Sequence, residues 1–239
     1  MLEIAAGSGT VTFAAAAHAR EASYVCTDLN AGAVMAAAAY RAISASGETR
    51  DPGRVPSIAF LAADMRRLPF TDGAFDAALC RMGFMFAPDP AAAFREARRV
   101  LRPGATLAFA VWAAPERNPW QFHLDEALVA FGVEDRSAER RPGGMFGLAD
   151  LATLQRSLDE AGFSVVELAG VDLLRQYSDF DQYWAVEVDV GIDRPRLLRA
   201  LAPRNLSAFR ARLEAALLPY REESGYRIPG LSLTVAARA

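Results

Sequence analysis

Two glycines and an aspartate carry the first chemistry in this chain. Gly7 and Gly9 flank Ser8 in the opening stretch MLEIAAGSGT, and Asp28 stands 21 residues after Gly7. Glycine has no Cβ, so both can take positive φ and let a ligand come close to the backbone. A glycine turn that opens a helix also aims free amide N–H groups outward, where they favour an anionic group. Asp28 ends the next strand-like run, SYVCTD, and from there a carboxylate can accept two hydrogen bonds from a ribose diol. Each part has a plainer reading: the turn as a tight connection, the aspartate as a helix N-cap. Together they predict a cofactor of the adenosine type. The dinucleotide fingerprint wants Gly or Ala three residues after its second glycine, and Thr12 stands there, which disfavours NAD.

Other residues of chemical interest follow later strands. Asp64 precedes RRLPF, where a plain turn acid is the alternative to a binding role. Arg81 follows a fourth strand-like run and could bind an anionic acceptor or pair with a nearby acid. Met82, Phe84, Phe86, Trp120, Phe122 and Phe146 are either the wall of an apolar pocket or packing. His123 is the one imidazole placed to act as a base on that side, and His18 reads as a packing or surface residue. Cys26 and Cys80 lie in apolar runs and read as buried free thiols. With no Cys-x-x-Cys or His-x-x-x-His, no metal site is expected.

The elements that must hold these residues alternate. Helix is predicted over 10–19, 31–43, 90–101 and 148–162, and strand over 23–28, 57–64, 75–82, 105–112, 163–174 and 231–238. Residues 46–56 read as a loop and 102–104 as the turn ending the third helix, while only residues 1–5 could form a strand before the glycine turn. Phe94, Ala97 and Leu101 share one helical face, as do Leu151, Leu154 and Leu158. Two or three helices are expected between Asp179 and Glu222. Strands alternating with helices imply a parallel α/β sheet covered on both faces, with ligands at the carboxyl ends of its strands.

Composition narrows the function classes. With 239 residues and 52% apolar content the chain can bury a sizeable core. A net charge of −3 argues against a general nucleic-acid surface and for small-molecule partners. No apolar run approaches the ~20 residues of a membrane helix, and no basic segment precedes an apolar signal core, so a cytoplasmic location is expected.

Four blocks, LEIAAGSGT, CTDLN, AADMRRLPFTDGAFDAALCRMGFMFAPD and REARRVLRPGATLAFAVW, occur in order over residues 1 to about 112. They resemble the class I S-adenosylmethionine-dependent methyltransferases, in particular the ubiquinone/menaquinone-biosynthesis methyltransferases. The resemblance implies a three-layer, Rossmann-like α/β fold with a seven-strand mixed sheet, the last strand antiparallel, and a helical insertion before that strand. It implies one methyltransferase domain over 1–239, with a cofactor-binding core at 1–112 and substrate-side insertions at 113–147 and 175–225. The implied cofactor is S-adenosylmethionine, and the implied reaction is methyl transfer to a small, largely apolar organic acceptor.

Carried over by position, Glu3, Ala5, Gly7 and Gly9 match the family's acid-x-Gly-x-Gly-x-Gly, with Ala5 in place of the first glycine. Gly7 and Gly9 would lie under the methionine portion, Asp28 would hold the ribose and Leu29 would pack on the adenine. Asp64 would accept from the exocyclic amine while the Met65 N–H meets a ring nitrogen. Arg81 completes the cofactor-binding set, and Arg81 and His123 are the candidates for a catalytic role. Family members carry helices ahead of the first strand, so the chain reads as N-terminally shortened, with an open cleft and weakened cofactor binding. The rival readings are a nucleotide-dependent oxidoreductase and a non-catalytic binding protein that keeps the cofactor pocket.

Overall fold

The computed structural model describes residues 1–47, 57–133, 141–189, 198–199, 201 and 203–239. The chain order begins β1 (Leu2–Ile4), α1 (Thr10–His18), β2 (Ser23–Asp28), α2 (Ala31–Gly47), β3 (Ser57–Ala62), β4 (Phe75–Arg81), α3 (Pro90–Val100) and β5 (Leu101–Trp112). It continues with α4 (Pro119–Ala130), α5 (Leu151–Glu160), β6 (Ser164–Tyr177), α6 (Phe180–Tyr183), α7 (Leu206–Leu217), β7 (Arg221–Glu222) and β8 (Gly225–Arg238). The strands form the path β3-β2-β1-β4-β5-β8-β6, and the two-residue β7 pairs only with β8. This is the expected seven-strand sheet with one short hairpin arm added. Strands β1 to β5 pair in parallel. β8 runs against β5: the Gly104 N–H meets the Ala239 carbonyl at 2.8 Å, while the Ala113 N–H meets Leu231 at 3.1 Å.

The chain divides into two compact units. The first comprises Met1–Val111, Leu151–Ala169 and Leu233–Ala239, and the second Trp112–Asp150 and Gly170–Ser232.

In the first unit, α3 shows how sequence becomes a packed layer. Asp89 caps it by accepting from the Ala92 N–H at 2.9 Å, and Pro90 occupies the first turn, where its missing N–H costs nothing. Ala93, Phe94, Ala97 and Val100 form its buried stripe. The Phe94 ring packs on Phe84 and Phe109 at centroid distances of 4.4 and 5.3 Å. Burying a phenylalanine this fully contributes about 1.5–3 kcal/mol. Along β5, Ala105, Leu107, Phe109 and Val111 are buried on the α3 side, and Thr106, Ala108 and Ala110 are only half-buried on the other. The central strand β1 is just three residues long, yet it is paired on both sides, with β2 and β4, and Leu2 and Ile4 are fully buried. In the second unit, Leu124, Leu128, Tyr183, Phe209, Leu213 and Ile228 are central to a separate apolar core.

Several boundaries differ from the sequence reading. The expected turn at 102–104 is drawn into β5, and a register shift between Phe75 and Ala77 absorbs the irregularity where β4 pairs with it. The last strand starts at Gly225 rather than 231, because a hairpin with β7 extends it. Leu154 and Leu158 are buried as expected, but Leu151 is half-exposed at the first turn of α5. Of the loop expected over 46–56, residues 46–47 close α2 and 48–56 lie outside the described residues.

Candidate cofactor site

In the sheet order the chain runs outward from β1 through β2 to β3, then returns to place β4 on the other flank of β1. The crevice outside the carboxyl ends of β1 and β4 is therefore the topological switch point, where open α/β sheets bind ligands. The turn after β1 has left-handed backbone at Ala5 (φ 54°), Gly7 (φ 53°) and Gly9 (φ 76°). It is held by the Ala6 N–H on Thr27 at 2.9 Å and the Gly9 N–H on Ala6 at 2.8 Å. A Cβ added at Gly7 would meet nothing within 4 Å, so glycine is demanded there by backbone conformation and the space beside it is open. At Gly9 the ring of Phe13 would lie 3.1 Å from such an atom, a tight contact added to a backbone conformation (φ 76°) that already favours glycine.

Beneath the turn, the buried Glu3 carboxylate accepts the Thr12 N–H at 3.0 Å, occupying one of the free donors at the start of α1. Burial pushes the Glu3 carboxyl above the usual range; the bond from Thr12 and the charge of Arg81 oppose that shift, and Asp28 reinforces it. Cys26 and Cys80 are both buried and free, as expected. Burial raises their thiols to about 11 and about 12 respectively, which leaves them unreactive near neutral pH.

Asp28 sits at the end of β2 and its Oδ2 accepts the Gly7 N–H at 2.8 Å, while Oδ1 accepts the Asn30 N–H at 2.8 Å. The 21-residue spacing thus marks a direct bond between the glycine turn and the acid, which the sequence reading missed. Each carboxylate oxygen keeps a second acceptor site, so a diol can still be held. Leu29, next in the chain, is 72% exposed beside it. The Ala63 N–H donates to the Asp28 carbonyl at 2.9 Å, bringing the loop after β3 alongside. In that loop Asp64 is engaged by Arg66: Oδ1 accepts from the Arg66 backbone N–H at 2.9 Å, and Oδ2 from Nη2 at 2.7 Å. These bonds hold the Asp64 carboxyl below its ordinary range. Met65 is half-buried next to it. The loop is pinned from α3, where Glu96 accepts the Leu68 N–H at 2.7 Å and Arg99 donates to the carbonyls of Phe70 and Leu68 at 2.7 and 3.0 Å.

Arg81, exposed at the end of β4, edges a cavity of about 340 Å³ on the sheet face, together with Val11, Leu79, Ala110, Glu167 and Thr234. Met82 follows in left-handed backbone (φ 57°). Gly83 then passes so close to the β1 turn that a Cβ there would lie 2.5 Å from that of Ala5.

Half of the apolar wall expected around the acceptor is core. Phe84, Trp120 and Phe146 are sealed in packing, Phe84 against Phe94 and Phe109, and Trp120 against Trp112 at 5.1 Å. Phe86 is exposed, and Met82 and Phe122 are half-exposed. His123 belongs to the second unit, between the rings of Phe122 and Tyr220. Burial lowers its pKa, against the raising effect of Glu126, and no hydrogen bond orients its ring among the described residues. His18 is exposed, with Nδ1 on the Ala14 carbonyl at 2.9 Å. Among the described residues no group of three or more His, Cys, Asp or Glu could hold a metal ion, and no helix is long and apolar enough to cross a membrane.

Comparison with known proteins follows these contours. Residues 2–109 match the methyltransferase domain family. A demethylmenaquinone methyltransferase of Beutenbergia cavernae is 38% identical over 81 residues, covering 34% of this chain and 32% of that protein. Across the first relatives of this kind, the chain spans from 32% to 54% of their length. A solved structure of a candidate methyltransferase from Bacillus halodurans superposes over 99% of this chain and 90% of its own, with a TM-score of 0.59 and 24% identity. The [4+2]-cyclase SpnF shares the fold at a TM-score of 0.54 and 20% identity, covering 99% of this chain and 73% of the cyclase. The stretch that matches the methyltransferase domain family, residues 2–109, is the one that builds the switch point, the glycine turn, Asp28 and Asp64.

Proposed function

We propose that this chain transfers the methyl group of S-adenosylmethionine to a small, largely apolar organic acceptor. The observation that carries the reading is the bond from Gly7 to Asp28, which joins a left-handed turn beside open space to a carboxylate with spare acceptor sites. That pairing fits a ligand with an amino-acid end and a ribose diol. It needs no phosphate-gripping cation. Gly7 and Gly9 would lie under the methionine portion, Asp28 would hold the ribose, Leu29 would cover one face of the adenine, and Asp64 with the Met65 N–H would meet its polar edge. Glu3 and Ala5 shape the turn from beneath.

Bound S-adenosylmethionine supplies a methyl group on a sulfonium, already a good leaving group. The protein's task is then to hold an acceptor atom in line with that methyl, and positioning alone can supply much of the acceleration. Arg81, at the edge of the cavity, would orient an oxygen of the acceptor, and Met82 and Phe86, which follow it in the chain, would supply apolar contacts. His123, whose ring no hydrogen bond orients among the described residues, is a weaker choice for a base than Arg81 is for an orienting group. An apolar acceptor is also favoured by the relatives, whose names place them in menaquinone and ubiquinone biosynthesis. The cyclase on the same fold favours measuring binding and turnover separately, since fold does not fix chemistry.

The test is calorimetric titration of the 239-residue chain with S-adenosylhomocysteine, followed by transfer of labelled methyl to a panel running from hydroquinones and naphthols to sugars and amino acids. Saturable binding with label in the phenolic acceptors is expected. Binding without turnover on any acceptor would favour the non-catalytic reading, and preferential binding of NADH would overturn the cofactor assignment.

A further inference from the structure

We propose that Arg66 is a nucleobase-reading residue, presenting with Asp64 a donor and an acceptor side by side to the adenine edge of the cofactor. This rests on the reading above in which Asp64 faces the adenine. Asp64 Oδ1 accepts from the Arg66 backbone N–H at 2.9 Å and from Nε at 3.1 Å. Oδ2 accepts from Nη2 at 2.7 Å, with Nε shared at 3.2 Å. With the Nε group shared between both oxygens, three N–H groups take three of the about four acceptor sites of a carboxylate, and one is left on Oδ2. A guanidinium carries five N–H donors; Asp64 is the only hydrogen-bond partner of this one among the described residues, with the charge of Asp89 acting on it from further off. The second N–H of Nη2 is therefore free beside the free site of Oδ2. The pair is open to a ligand, with side chains 46% and 31% exposed.

Adenine carries a donor, its exocyclic N6–H, next to an acceptor, the ring nitrogen N7. A carboxamide reads that edge with one acceptor and one donor. The Asp64–Arg66 pair offers the same order from two side chains, the carboxylate taking N6–H and the guanidinium giving to N7. Arg67 does something different: its backbone N–H closes the turn on the Asp64 carbonyl at 2.9 Å. Arg66 alone, released from Asp64, would present two donors, the pattern by which arginine grips the O6 and N7 of a 6-oxopurine. The carboxylate thus restricts the arginine to one donor and turns the preference toward adenine.

The experiment titrates the full chain with S-adenosylhomocysteine and with its 6-oxo counterpart, S-inosylhomocysteine, for the parent, Arg66→Ala, Asp64→Ala and the double variant, with circular dichroism melts to verify folding. Arg66→Ala should weaken the adenine ligand about ten- to a hundredfold, the range for one lost hydrogen bond with charge assistance. Asp64→Ala should weaken the adenine ligand and bring the 6-oxo ligand level with it or ahead. Adding Arg66→Ala to Asp64→Ala should abolish that gain, an effect no merely structural role produces. If Asp64→Ala weakens adenine binding while Arg66→Ala does not, and no shift toward the 6-oxo base appears, the role of Arg66 is overturned while that of Asp64 stands. If neither variant alters either affinity, Asp64 does not face the base and both fall.

Discussion

Gly83 offers a sharp test of how the two turns of the site are built. Its backbone is not left-handed (φ −110°), so nothing conformational requires glycine there. What requires it is space: an added Cβ would lie 2.5 Å from the Cβ of Ala5 and 2.6 Å from Sγ of Cys80. Comfortable carbon contacts begin near ~3.5 Å, so both overlaps approach an ångström or more. Neither neighbour yields easily, since the Ala5 Cβ is fixed to the backbone and Cys80 is buried. Overpacking of this kind costs about 1–3 kcal/mol, and two rigid overlaps place Gly83→Ala at the upper end. Loss of glycine's unfolded-state freedom offsets up to about 1 kcal/mol of that. Ala5→Gly removes one of the two overlaps and also relieves left-handed backbone at Ala5 (φ 54°). It should be close to neutral or slightly stabilising alone, and should recover at least about 1 kcal/mol of the Gly83→Ala loss, well beyond the scatter of additive pairs. Urea unfolding of the four proteins, at equal slope, measures this coupling. Additivity within about 0.5 kcal/mol would refute the claimed contact. S-adenosylhomocysteine titration of the same set should show Gly83→Ala weakening binding and Ala5→Gly restoring part of it, because the displaced Ala5 leads directly into Gly7.

Two further outcomes follow from the site. Asp28→Ala removes the acceptor for the Gly7 and Asn30 N–H groups, and should weaken S-adenosylhomocysteine binding by about 1.5–3 kcal/mol, with Asp28→Asn recovering part of it; unchanged calorimetric affinity in a folded variant would remove Asp28 from the site. Glu3 has a folded-state pKa raised chiefly by burial, so the native state holds its proton more tightly than the unfolded chain and stability falls as pH rises from the ordinary carboxylate value through the raised one. Glu3→Gln keeps an acceptor for Thr12 and should flatten that decline, so urea midpoints recorded between about pH 4 and 8 that fall equally in both proteins would count against it.

What could be read from the sequence was what is local. The glycine turn, the acid ending β2 and the stripe of α3 each depend on residues within a few positions of one another, so residue type and spacing were enough. Phe84 and Trp120 could not be sorted from pocket residues in advance, because a core and an apolar pocket recruit the same side chains and only burial separates them. The bond from Gly7 to Asp28 was half legible: the spacing was visible, but not that the acid would first serve the turn itself.

The contact of Gly83 with Ala5 was out of reach for a different reason, and it bears on how the site works. It exists because β1 pairs with β4, Leu2 beside Ala78 and Glu3 beside Leu79, although 76 positions separate those residues in sequence. That pairing brings two turns with left-handed residues, Ala5 and Met82, to the same end of the sheet. One turn carries the glycines proposed to lie under the cofactor, and the other follows Arg81, the residue proposed to orient the acceptor. On that proposal, the close approach of Gly83 to Ala5 would set the distance from cofactor to acceptor. In-line methyl transfer depends on that distance more than on any proton-transfer group. Loosening Gly83 should therefore cost turnover on a good acceptor by more than it costs cofactor affinity, whereas an Asp28 variant should lose affinity first.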